Sequence, residues 1–188
     1  MRSDVIAVSS TEDRTELALD QAERVAVYRH LSRKGALHLR LLTEEMMSMV
    51  RAIAGNMQGR FWIESEGEQY ELHLCAKTPM NFDKREKLLS ASTSGRNEAH
   101  RGFMGKIRAF FEPVDDAPLF FDPGPDHDMT WTLHTYQTQV RQFIQQDREG
   151  AAEAWDELEK SVVAHVADDV KVSIRGSDVE MTIFKKLA

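Results

Sequence analysis

The chain has 188 residues, 41% hydrophobic and 29% charged, with a formal net charge of -7. That supports one buried core, in one domain or one domain with an elaboration, and excludes a disordered chain. The acidic balance argues against nucleic acid as a partner, and no apolar run approaches the ~20 residues that cross a bilayer.

Met1-Arg2-Ser3-Asp4 leads into no signal-peptide core, and Val5, Ile6 and Val8 predict a short strand. Ser9-Ser10-Thr11-Glu12-Asp13 supplies helix-capping residue types. Leu17, Ala18, Ala22, Val25, Tyr28 and Leu31 then recur at helical spacing, which predicts a helix over 14–32. Arg33-Lys34-Gly35 is read as its end, with cations and a glycine where a helix C-terminus favours them. A second helix is predicted over 37–54, with Leu42, Met46, Met49, Val50 and Ile53 as its buried stripe and Gly55 as its stop.

The period then switches to two. Phe61, Ile63 and Ser65 share one face. Beyond Glu66-Gly67-Glu68, the residues Tyr70, Leu72, Leu74 and Ala76 alternate with Glu71, His73 and Cys75. This is a hairpin with one buried face, closed by Pro79. Cys75 is the only cysteine, which excludes an internal disulfide and suits a reducing cytoplasm. Within a strand it reads as a small sheet residue and not as a nucleophile.

A short helix over 84–90 and a helix over 98–111 flank the loop Ser90-Ala91-Ser92-Thr93-Ser94-Gly95-Arg96-Asn97. Four of the five prolines fall within 112–129, which is read as a long loop. Helices over 130–147 and 150–166 follow, the second with Trp155, Leu158, Val162, Val163 and Val166 on its apolar face. Val170, Val172 and Ile174, a turn at Arg175-Gly176-Ser177-Asp178, then Val179, Met181 and Ile183 predict a closing hairpin. The fold class is therefore α+β: a two-layer sandwich whose mixed sheet is built largely from hairpins, with helices on one face.

Charge is unevenly spread. Residues 83–108 carry seven cations against three carboxylates, whereas residues 112–169 carry fourteen carboxylates against three cations. The positive window holds the hydroxyl- and glycine-rich loop and the segment Gly102-Phe103-Met104-Gly105-Lys106. Backbone N–H groups and cations presented together at a helix start suit an anion, often a phosphate. A solvated surface loop has the same composition.

This element order resembles the GHKL (Bergerat) ATP-binding fold of histidine kinases and gyrase B, with the anti-sigma-factor serine kinases nearest in layout. The resemblance covers most of the chain as a single domain, 1–188. Leu42-Thr43-Glu44-Glu45-Met46-Met47-Ser48 resembles the helix that carries a catalytic Glu and, four residues on, a Mg²⁺-binding Asn. Glu44 stands in the place of the Glu and Ser48 in that of the Asn; the alternative register pairs Glu45 with Met49, which does not bind a hard cation. At the adenine-binding motif the chain reads Cys75-Ala76-Lys77-Thr78-Pro79-Met80, without the expected Asp and glycines. Gly102, Gly105 and Lys106 resemble the second glycine motif, with Ser94, Gly95 and Arg96 in the lid.

The resemblance implies a cytoplasmic protein in one of two roles. In the first, the scaffold with a degenerate nucleotide site regulates signalling or transcription by binding a protein such as a sigma factor, without enzymatic activity. In the second, it binds ATP or ADP, with Mg²⁺ weakly held at best, and serves as a kinase or ATPase. Relatives of this kind also form homodimers. A metal enzyme built on Asp126-His127-Asp128, His134 and Glu153 is a third and remoter reading, since their spacing matches no established site. No metal ligand set is assigned.

Overall fold

Strict alternation of apolar and polar residues lays down the sheet, and helical spacing supplies what covers it. The computed structural model describes residues 1–9, 15–54, 58–77, 129–148, 150–175 and 178–187. In chain order the strands are β1 (Ile6–Ser9), β2 (Gln58–Glu66), β3 (Gln69–Lys77), β4 (Met129–Thr132), β5 (Asp169–Arg175) and β6 (Asp178–Lys186). The helices are α1 (Thr15–Tyr28), α2 (Arg33–Ala54), α3 (Leu133–Gln145), α4 (Ala151–Lys160) and α5 (Val162–Val166). The predicted elements over 84–90 and 98–111 and the proline-rich loop up to residue 128 lie outside the described residues.

The strands form one open six-stranded sheet in the order β1-β2-β3-β6-β5-β4. Every pairing among the described residues is antiparallel, so the expectation of a mixed sheet is corrected. The two predicted hairpins, β2–β3 and β5–β6, meet side by side in the middle of the sheet through β3 and β6. Hairpin strands are antiparallel by construction, and here their union is antiparallel too. Gly67, at a left-handed φ of 58°, opens the short turn between β2 and β3.

One sheet face is apolar and packed. Phe61, Ile63, Leu72, Leu74, Val170, Val172, Met181 and Ile183 are all buried in one cluster. Against the sheet lie α1 on β1 and β2, α2 on β3 and β6, and α3 on β4 and β5. Helix α2 contributes Leu39, Leu42, Met46 and Met49 to this core. The stripe of α1 is narrower than predicted: Ala18, Gln21, Ala22, Val25 and Ala26 are buried, while Leu17 and Tyr28 are exposed. Small side chains on this face let α1 pack closely against its neighbours.

Three helix boundaries are also corrected. The first helix stops at Tyr28 because His30, not Gly35, takes the left-handed conformation, with φ at 54°. Ser32 Oγ then accepts a hydrogen bond from the Gly35 N–H at 3.1 Å, so Arg33-Lys34-Gly35 opens α2 instead of closing α1. Residues 130–132, predicted helical, together with Met129 from the predicted loop form the edge strand β4, whose Trp131 is buried. Thr132 caps α3 with its hydroxyl on the Thr135 N–H. The helix over 150–166 is divided at Ser161, which is extended and caps α5. No helix among the described residues is long and apolar enough to cross a membrane.

Candidate functional site

Of the predicted site residues, Glu44 and Ser48 fall on α2; Ser94, Gly95, Arg96, Gly102, Gly105 and Lys106 lie outside the described residues. Glu44 and Ser48 are both exposed, one helical turn apart on the face opposite the core. The two registers differ in burial. Met49, the partner in the alternative pairing with Glu45, is fully buried in the core. Burial raises the pKa of the Glu45 carboxyl, and the adjacent Glu44 carboxylate raises it further.

At one end of the sheet, the end of β3 and the start of β6 border a cleft of about 840 Å³. Arg60, Cys75, Lys77, Asp178 and Glu180 are among its lining residues. Lys77 stands directly across from Asp178, and Cys75 is flanked in register by Arg60 and Glu180. Opposite charges therefore sit on neighbouring strands. The backbones of β2 and β3 are close here: a Cβ on Gly59 would meet the Cys75 carbonyl oxygen at 2.8 Å. Burial pushes the Cys75 thiol up, Glu180 and Asp178 add to the shift, and Arg60 opposes it. The thiol is thus held away from its nucleophilic form. The lysine that stands where an adenine-binding motif would begin, Lys77, is exposed at the rim of this cleft.

The remoter metal reading gains no group from the described residues: no cluster of three or more potential ligands occurs among them. His134 instead lies in the first turn of α3, where its backbone N–H donates to Asp169 Oδ1 at 3.1 Å. Asp126-His127-Asp128 lies outside the described residues.

Sequence reasoning passed over a second cluster, on the sheet face away from the helices. Trp62 and His73 are cross-strand partners and stack at 5.0 Å with their rings 8° apart. From the other side of β2, the Arg2 guanidinium lies 5.0 Å from the Trp62 ring centre. Trp62 Nε1 donates to Glu64 Oε1 at 2.9 Å, and Arg2 Nε pairs with the same oxygen at 3.5 Å. His73 Nδ1 is 3.3 Å from Thr182 Oγ1. Its Nε2 is buried, lies 3.3 Å from Glu71 Oε2, and makes no hydrogen bond. The available signal was an aromatic residue and a histidine at positions that the period assigns to the polar face. Alternation alone marks such positions as solvated and does not show that they stack.

Comparison with protein-family models, with curated proteins and with solved structures finds no match to this chain.

Proposed function

We propose that this chain is a regulatory protein that acts by binding a protein partner, on a scaffold resembling a GHKL ATPase with a degenerate nucleotide site. In this reading it is anti-sigma-like, and its partner is a sigma factor or another signalling protein. The observation that supports it is the sheet face opposite the described helices. No described helix packs there, yet the face carries an ordered Arg2–Trp62–His73–Thr182 row. Tryptophan and arginine side chains held at a surface are the residue types that anchor protein interfaces. The substitution of Ser48 for the metal-binding Asn supports the same reading, because a neutral hydroxyl is a weaker ligand for Mg²⁺.

Calorimetric titration with ATP and ADP, with and without Mg²⁺, tests this. No heat of binding at millimolar nucleotide is the expected result, and micromolar affinity overturns the degenerate-site reading. The second reading, a genuine ATP-binding regulator or kinase, rests on Glu44 and Ser48 sharing one exposed face of α2. It requires that Lys106→Ala weaken nucleotide binding at least tenfold, the loss expected of a phosphate-binding cation.

A further inference from the structure

Beside the Trp62–His73 stack, at the β2–β3 hairpin end of the sheet face on which no described helix packs, lies a hollow of about 440 Å³. Glu64, Glu66 and Glu71 line it together with two cationic groups, the Arg2 guanidinium and the Met1 terminal ammonium, which donates to the Ser65 carbonyl at 2.6 Å. Three carboxylates against one guanidinium and one ammonium leave this corner with an excess of negative charge. The guanidinium itself is held by exposed contacts. Arg2 is 57% exposed and Glu64 43% exposed at their side chains, so water screens the pair and it contributes little stability. The arm that brings Arg2 here is tied to β2 on both sides of it, by the Ser3 N–H to the Ile63 carbonyl at 2.9 Å and the Ser65 N–H to the Met1 carbonyl at 2.8 Å, so what a partner displaces is the Arg2 side chain and not the arm. An aromatic face with a carboxylate at its edge is the chemistry that recognises a guanidinium. Arg2 shows that this corner accepts one.

We infer that this corner is the docking surface for a basic segment of a partner protein, one of whose arginines takes the place over Trp62 that Arg2 holds in the free chain. The partner's remaining cations enter the hollow and meet Glu66 and Glu71. Arg2 is then a competitor, a side chain of the chain itself that occupies the site until a better-placed basic segment displaces it. His73 fixes the Trp62 ring from behind. The inference rests on the partner-binding reading above and names the surface and the partner's chemistry.

Fluorescence anisotropy with a labelled Gly-Arg repeat peptide, and with its citrulline counterpart of equal length, tests it on the full chain. The arginine peptide binds, and the neutral citrulline peptide binds at least tenfold more weakly. Trp62→Leu weakens the arginine peptide about tenfold, within the range of a partly desolvated cation–π contact. Arg2→Ala strengthens it about threefold by removing the competitor. Glu64→Gln, which keeps the Trp62 hydrogen-bond acceptor, weakens it and guards against a Trp62 variant that fails to fold. Equal binding of the two peptides, no binding of either, or unchanged affinity in both Trp62→Leu and Arg2→Ala overturns the proposal. Nucleotide titration of the same preparation separates the two claims. A chain without nucleotide affinity whose peptide binding ignores Trp62 loses this surface and keeps the partner-binding reading. A chain with micromolar ATP affinity loses the degenerate-site reading whatever the peptides do.

Discussion

The two faces of the sheet are made by the same strands, yet they differ in kind. On the inner face Phe61, Leu72, Leu74, Met181 and Ile183 are wholly buried beneath α1, α2 and α3. On the outer face Trp62, His73, Glu71 and Glu180 remain partly or fully exposed, while the small polar Ser173 and Thr182 are buried. Adjacent residues of one strand thus belong to two environments, because successive side chains point to opposite sides. The inner face supplies hydrophobic free energy in proportion to the area removed from water. The outer face holds its geometry through stacking and cross-strand pairs, each of which contributes only a few tenths to about 1 kcal/mol. Stability therefore resides on one side and chemical variety on the other.

The sharpest trial of this contrast substitutes neighbours. Leu72→Ala removes a wholly buried side chain and is expected to cost ~3 kcal/mol in urea unfolding. His73→Ala, one residue away, is expected to cost under about 1 kcal/mol. Equal costs would break the comparison. A backbone effect comes next: Gly59→Ala places a Cβ against the Cys75 carbonyl, so β2 and β3 must shift apart. A loss of roughly 1–3 kcal/mol in the same unfolding measurement is expected.

Smaller effects are electrostatic. Burial raises the Asp168 carboxyl, but the hydrogen bonds from Lys185 Nζ and the Lys186 N–H, with both lysine charges, outweigh it and hold the pKa below the usual value. The stabilising contribution is present above the unfolded-state pKa and is lost as pH falls through the lower folded one. Asp168→Asn should therefore flatten the acid limb of a plot of melting temperature against pH; an unchanged acid limb would show that the pair is fully screened. Glu45 has the opposite sign. Its raised pKa means that ionisation opposes folding as pH rises past the unfolded value. Glu45→Gln should raise the melting temperature slightly at neutral pH and leave it unchanged at acid pH.

Much of the sheet could be read directly from the residues. The hairpin at Gly67 and the turn before Asp178 were marked by period two broken at turn residues, and both pairings run in the expected sense. Helix ends were less readable, since Lys34 and Gly35 suit a C-terminus by type, whereas Ser32 capping and the left-handed His30 placed them at an N-terminus. Met129–Thr132 was misread because four residues cannot show a period, and pairing with β5 decided their state. At the candidate site, the spacing of Glu44 and Ser48 sufficed to place them on one helix face. The stack of Trp62 on His73 was invisible because it depends on the register of two strands.

The sequence by itself determined which residues alternate, which recur at helical spacing, and hence the α+β class and the apolar face of each element. These are local properties, carried by the direction in which each backbone geometry points its side chains. The tertiary structure alone decided that β3 joins β6 and that the sheet is antiparallel throughout. It also brought Arg2, Trp62, His73 and Thr182 into one row. Those outcomes depend on contacts between residues more than 100 positions apart, such as Gln69 with Lys186, where neither periodicity nor propensity acts and only the packing of the whole chain selects the partner.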